Sequence, residues 1–288
     1  TSPSNVTWLL TSTLLVSAVS VPILGRLGDM FGKRLMLLIA IGSLAVGSLV
    51  TALTSNVALL IVGRAIQGLS SAAIPLGISL LIVIMPRERV GSSIALISAM
   101  LGVGGALGLP LAGFIAEHAD FHALFWITTA ASAASFLGIL ALVPEPAGRT
   151  GGRVDIVGAV LLAVGLVCLL LPLTQSATWG WGDPRVAGLI AISVVVLAVF
   201  GWHQLRGSQP LVDMRALGRR PILATNIASI LFGFALFASF IGTASFVEAP
   251  EASGYGFGSS LMVGGLAMLP SGLCMLIFAP VAARLITK

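Results

Sequence analysis

Charge is what this sequence has least of. Lys, Arg, Asp and Glu make up 9% of its 288 residues, against roughly a quarter in an ordinary soluble domain, so the polar surface that a water-soluble fold of this length needs is missing. Cysteine is scarce as well. Cys168 and Cys274 both lie inside apolar runs, where a thiol is a small hydrophobe, and no disulfide framework follows from them. The cations never gather into a patch with interleaved aromatics, which removes nucleic acid as a partner despite a net charge of +5. No H-E-x-x-H, no paired intramembrane aspartates and no Ser/His/Asp set at one depth occur, so an enzyme is not expected.

What is abundant is apolar sequence: 57% of the residues are hydrophobic and the mean hydropathy is +1.09. Runs of about 18 or more apolar residues, bounded by Gly, Pro or charge, fall at 7–24, 35–53, 57–85, 91–116, 122–143, 155–173, 186–203, 222–247 and 258–283. This predicts an all-α integral membrane protein with nine transmembrane helices. The segments between the runs alternate in charge: one set holds thirteen of the fifteen cations, leaving only Arg185 in the other set and Arg64 inside a span. By the positive-inside rule the cation-rich set is cytoplasmic. The opposite set carries Glu117, Asp120, Asp183, Glu248 and Glu251, bordered by Trp8, Trp126, Trp179 and Trp181, an aromatic belt.

Three stretches stand out. Gly25 to Arg34, GRLGDMFGKR, reads as a short charged turn between the first two spans, with Gly25, Gly28 and Gly32 reversing the chain and Asp29 within reach of Arg26, Lys33 and Arg34. Arg64 lies about 10 Å inside the third span at 1.5 Å per residue, where a charge costs about 2.5–3.5 kcal/mol on insertion scales. It shares a helical face with Gln67, Gly68, Ser71 and Pro75, as a functional group or as a tie between helices through backbone carbonyls. The third stretch, GVGGALGLPLAG (102–113), contains G-x-G but no strand before it, which dismisses a dinucleotide site. It reads as a glycine groove along Gly104, Gly108 and Ala112, bent at Pro110.

Two acidic sites are ambiguous. Glu117, His118, Asp120 and His122 read as a polar rim with Phe121 and Trp126, and no metal is expected there. Glu248 is either a solvated carboxylate at a helix end or a cation-facing gate or proton carrier.

These residues resemble a known family. GRLGDMFGKR resembles the signature loop G-x-L-[A/G]-D-x-x-G-[R/K]-[R/K] of the major facilitator superfamily, with Met30 where a basic or small residue is usual. GRAIQG, around Arg64 and Gln67, resembles the fourth-helix R-x-x-Q-G of its proton-coupled members. The run at 102–113 resembles the antiporter signature G-x-x-x-G-P-x-x-G-G, with Leu109 in place of Pro, the proline moved to 110, and Ala112 in place of Gly. VPEP at 143–146 resembles the end of the sixth family span. P-x-x-small-R-L recurs at Pro22–Leu27 and Pro280–Leu285, eight spans apart, which equals a six-helix unit plus two inserted helices.

The resemblance as a whole is to the fourteen-helix drug:proton antiporters, and it implies a partial facilitator-type helical bundle. Residues 1–143 would be the N-terminal bundle (family spans 2–6, the first helix upstream of Thr1), 144–154 a cytoplasmic linker, 155–203 a two-helix insertion, 204–221 a second linker and 222–288 the start of the C-terminal bundle. The chain is thus expected to be part of a longer one. Function, by the same resemblance, is proton-coupled antiport exporting lipophilic or cationic drugs from the cytoplasm by alternating access. A lipid or metabolite exporter, or a truncated component without transport, is the alternative. Arg64, Gln67 and Glu248 would serve transport and coupling; Gly25, Gly28, Asp29, Gly32, Lys33 and Arg34 a conformational latch; Gly104, Gly108, Pro110 and Gly113 the antiporter helix. The implied partners are the lipid bilayer, protons and small hydrophobic or cationic substrates. No cofactor is implied beyond the proton gradient, and the setting is a bacterial cytoplasmic membrane.

Overall fold

In the computed structural model the elements are α-helices joined by short turns, and nine helical stretches among the described residues are long and apolar enough to cross a membrane. The structure describes residues 3–146, 154–207 and 209–286, and their side chains apart from 3–6, 253, 279–280 and 282–286. Most of the expected linker at 144–154, with Arg149 and Arg153, lies outside the described residues, as do Lys288 and, apart from Val281, the side chains of the second P-x-x-small-R-L copy.

Two compact units emerge, each discontinuous in sequence: 1–80 with 125–218, and 81–124 with 219–288. The first contains α1 (Pro3–Phe31), α2 (Lys33–Ala52), α3 (Val57–Gly68) and most of α4 (Ala73–Ile84). It also holds most of α6 (His122–Leu142), together with α7 (Ile156–Trp179), α8 (Pro184–Arg206) and the short α9 (Met214–Leu217). In the second, α5 (Arg87–His118) packs along α11 (Leu261–Leu266) and α12 (Leu269–Ile286), and α10 (Arg220–Glu248) meets α11.

Burial differs from that of a soluble protein: beside a buried apolar set that includes Leu76, Leu80 and Phe200, small polar side chains are also enclosed and many large apolar ones are not. Thr11, Ser48, Thr51, Gln67, Gln175 and Ser193 are buried, while Phe234, Ile230 and Leu231 of α10 stand exposed. Helices satisfy their own backbone groups, so their apolar side chains can face hydrocarbon, and some of the buried polar ones, Ser48, Gln67 and Ser193, tie neighbouring helices together. Ser193 illustrates this: its buried hydroxyl donates to the Gly165 carbonyl at 2.8 Å and fastens α8 to α7.

Three expectations about local structure are corrected. The charged stretch 25–34 is not a turn: α1 runs on to Phe31 and α2 starts at Lys33, so the reversal is confined to Gly32, whose φ is +122°. A helix carrying charge beyond the hydrocarbon border keeps its backbone bonds, and only Gly32 takes up a backbone shape that other residues resist. Likewise, the third span is not one regular helix. Pro75 has no N–H to give to residue 71, and the chain tightens into a 3₁₀ turn at Leu69–Ala72 before α4 resumes. The ninth span is also divided, into α11 and α12.

Candidate functional site

Arg64 sits where α3 is held between α1 and α2. Against α2 the approach is backbone to backbone: a Cβ on Gly47 would come within 2.6 Å of the Gly63 carbonyl oxygen, and one on Gly63 within 2.9 Å of that of Gly47. Against α1 the contact is Gly68, where a Cβ would lie 2.7 Å from the Thr13 carbonyl oxygen. Small residues at the two crossings bring the polar groups of three helices within hydrogen-bond range.

The Arg64 guanidinium donates to Gln67 Oε1 at 2.9 Å, and Gln67 Nε2 donates to Ser48 Oγ at 2.9 Å. Gln67 is 5% exposed and Ser48 fully buried, so this relay is shielded and runs from the charge into the α2 interface. The backbone is tied equally well. Thr13 Oγ1 donates to the Arg64 carbonyl at 3.1 Å, Ser17 and Ser20 donate to the Gly68 carbonyl, and Ser71 donates to Ser17 Oγ at 2.7 Å. The expected stripe is therefore realised in part: Arg64, Gln67 and Gly68 act together, Ser71 within the 3₁₀ turn joins them through Ser17 although it is exposed, and Pro75, past that turn, is exposed.

At the α1–α2 junction Lys33 pairs with Asp29 at 3.6 Å across the Gly32 reversal, and Arg34 donates instead to the Leu140 carbonyl at 2.6 Å near the end of α6. A cation there complements the free carbonyls of a helix C-terminus. Gly28 packs against Leu76, leaving 2.9 Å for an added Cβ, whereas Gly25 meets nothing within 4 Å among the described residues. Met30 is buried, so the apolar residue at that place belongs to the packing. Sequence reasoning missed Glu145. Its carboxylate lies so close to Gly32 that an added Cβ would run into it; the only signal was VPEP, taken as a landmark.

On α5 the close contacts do not fall on the expected glycine groove. Nothing approaches Gly104 or Gly108 within 4 Å among the described residues, and the close contacts run along another face. A Cβ on Gly102 would lie 2.7 Å from Met275 Cβ, and one on Gly113 2.7 Å from the Leu261 backbone. Two residues turn a helix by about 200°, so Gly102 and Gly104 face opposite ways. The Leu109–Pro110 backbone meets Gly265, where an added Cβ would be 2.6 Å from the Pro110 nitrogen.

The four groups of the polar rim are taken up by three contacts, one of them within the set. Glu117 accepts from the Met262 N–H at 2.9 Å, His118 Nδ1 bonds the Phe114 carbonyl at 2.9 Å, and His122 Nδ1 bonds Asp120 at 3.0 Å. The His122 bond, working against a smaller desolvation effect, holds the Asp120 carboxyl below its ordinary range. Glu248, the last residue of α10, lies over Gly264: a Cβ there would come 2.7 Å from Glu248 Oε1.

A model described as Major Facilitator Superfamily matches residues 1–288. The tetracenomycin C resistance and export protein of Streptomyces glaucescens is 31% identical across all of this chain and 53% of its own length. The putative multidrug resistance protein MdtD of Escherichia coli is 31% identical over 93% of this chain and 56% of its own. The lincomycin resistance protein LmrB of Listeria monocytogenes is 25% identical over 99% and 59% respectively. The chain spans about half the length of the curated relatives it matches. With its long apolar helices, its exposed apolar helix faces and a match over its whole length, the chain belongs to the Major Facilitator Superfamily of multi-pass membrane transporters.

Proposed function

We propose that the whole protein is a proton-coupled antiporter of a bacterial cytoplasmic membrane, exporting lipophilic or cationic compounds from the cytoplasm by alternating access, with the proton gradient as its only energy source. The observation that carries this reading is the Arg64–Gln67–Ser48 relay. A guanidinium inside the membrane is costly, and here a buried amide and a buried hydroxyl hold it in one orientation. As a fixed cation it favours the ionised form of any carboxylate brought near it and opposes it when that carboxylate moves away, which ties proton uptake to conformation. The names of the relatives, resistance and export proteins, support the direction and the class of cargo.

The other groups take supporting roles. Gly28, Gly32, Asp29 and Lys33 form the latch at the α1–α2 junction, with Gly25 on its open side and Arg34 anchoring it to α6. The α5 helix, with Gly104, Gly108, Pro110 and Gly113, shapes the path for cargo. The bundles divide at 143 and 222, with α7 and α8 inserted between them.

The test is substrate-dependent proton movement by the full-length protein in liposomes under an imposed pH gradient, read with an entrapped pH dye. Wild type should couple proton entry to ethidium export, Arg64→Ala should abolish it with expression intact, and Arg64→Lys should restore part of it, because a point charge lacks the planar fork. Normal coupled export by Arg64→Ala would reduce Arg64 to a tie between helices and remove the reading's main support.

A further inference from the structure

The second unit contains a cavity, lined by Glu248 and by Gly113 of α5, to which no ligand has been assigned above. It measures about 270 Å³ and lies at the Glu117 end of α5, walled by Leu109, Ala112, Leu124, Ala244 and Leu261, with Glu248 as its one titratable lining group. We propose that this cavity is a binding site for a small lipophilic monocation, its charge set against the Glu248 carboxylate. The proposal rests on the exporter reading and gives it a specific site.

The carboxylate is presented by the backbone around it. Gly264 leaves room for it, because any Cβ there would crowd Glu248 Oε1. Gly113 and Gly265 let α11 settle directly on α5, and Glu117 takes the Met262 N–H, fixing the start of α11 at the cavity wall. The segment after α10 folds back across its end through Gly258 N–H to the Ala249 carbonyl at 2.8 Å and Ser259 N–H to the Val247 carbonyl at 3.1 Å. Those two bonds flank Glu248.

Among the described residues, no hydrogen bond or ion pair takes up the Glu248 carboxylate. A half-buried carboxylate against apolar walls loses hydration without gaining a partner, and a cation that also fills the apolar space restores both. No Lys or Arg occurs in 119–121 or 249–260, the two segments at this end of the unit, so nothing local competes with a cationic ligand. The returning segment also brings Tyr255 and Phe257 against Phe246, with ring centroids 6.2 and 5.4 Å apart.

The experiment is equilibrium binding of phenyltrimethylammonium to the full-length protein in lipid nanodiscs, with the neutral isostere tert-butylbenzene as competitor. Two variants are compared, Glu248→Gln to remove the charge and Ala244→Leu to fill the space, each checked for an unchanged melting temperature. The expected result is a loss of affinity for the cation of at least tenfold in both. The neutral isostere should compete equally well in wild type and Glu248→Gln. Unchanged cation binding in either variant overturns the site, as does an equal loss for both ligands in Glu248→Gln. Ethidium export measured in parallel separates this from the exporter reading. Wild-type export with binding indifferent to Glu248 sinks the cavity alone, while Glu248-dependent binding without wild-type export sinks the exporter alone.

Discussion

Arg64 and Glu248 are both ionisable groups within membrane-spanning helices, and the structure treats them in opposite ways. Arg64 is closed: its guanidinium is bonded to Gln67, and Gln67 to the buried Ser48. Glu248 is open, set over a glycine against an apolar cavity. A charge bound by its own chain serves conformation, because any change of state must break or carry along those bonds. One left beside empty apolar space is available to a ligand. The difference turns on glycine placement. Gly47, Gly63 and Gly68 let three backbones close on Arg64, whereas Gly264 makes room for the Glu248 carboxylate itself.

The largest effect expected from breaking this contrast comes from the helix crossing. Gly63→Val should prevent close approach of α2 and α3, since its Cβ would press on the Gly47 carbonyl oxygen and on Thr51 Cγ2 at 2.6 Å. Folded protein recovered by size-exclusion chromatography should fall several-fold. Gly104→Val, at a site with nothing within 4 Å among the described residues, should give normal recovery. Equal recovery for the two would mean that the crossing does not hold the Arg64 relay together.

A smaller effect is expected from cutting the relay in its middle. Gln67→Leu keeps the volume but leaves the guanidinium and the Ser48 hydroxyl without the partner each has now. A buried polar group left unpaired costs about 1–3 kcal/mol. Melting temperature should fall and coupled export should drop with it, while phenyltrimethylammonium binding at Glu248 stays unchanged. Loss of that binding in Gln67→Leu would show that the closed and open sites are not independent.

Much of this was legible in the sequence, for reasons that also mark where legibility stops. The spans follow from hydropathy, which the bilayer enforces residue by residue, and the Arg64–Gln67 pair follows from helical spacing. Glu117 and Glu145 were not readable as packing partners. Glu117 meets Met262, 145 residues away, and Glu145 meets Gly32; no local pattern encodes such distant contacts. The packing face of α5 is not readable in the sequence, because small residues occur on both faces of that helix. Only the partner, Met275 and Leu261 rather than anything near Gly104, decides which face is used. The turn at 25–34 was overextended because charge marks the edge of the hydrocarbon and not the end of a helix.

The smallest expected effect concerns a third charge, closed like Arg64 but placed at a helix end instead of within a span. Asp155 caps α7 by accepting from the Gly158 N–H at 2.8 Å, and it also takes bonds from His203 at 3.0 Å and Gln204 at 2.7 Å. Gly158 permits the cluster, since a Cβ there would run into both Asp155 and Gln204. Burial alone would raise the Asp155 carboxyl, but the bonds from Gly158, His203 and Gln204 together outweigh it and hold the group below its ordinary range. A folded-state value below the unfolded one, about 3.9, means that the stabilisation is complete above that pH and is lost as pH falls through the lower folded value. Wild type should therefore lose melting temperature between pH 5 and pH 3 more steeply than Asp155→Asn, which still accepts from Gly158 but has no proton to gain. At pH 7 Asp155→Ala should cost about 1 kcal/mol, the usual worth of a helix cap, and should leave coupled export intact. If Asp155→Ala instead abolished export as Arg64→Ala is expected to, location within the span would not be what makes a closed charge functional, and the contrast drawn from Arg64 would fail.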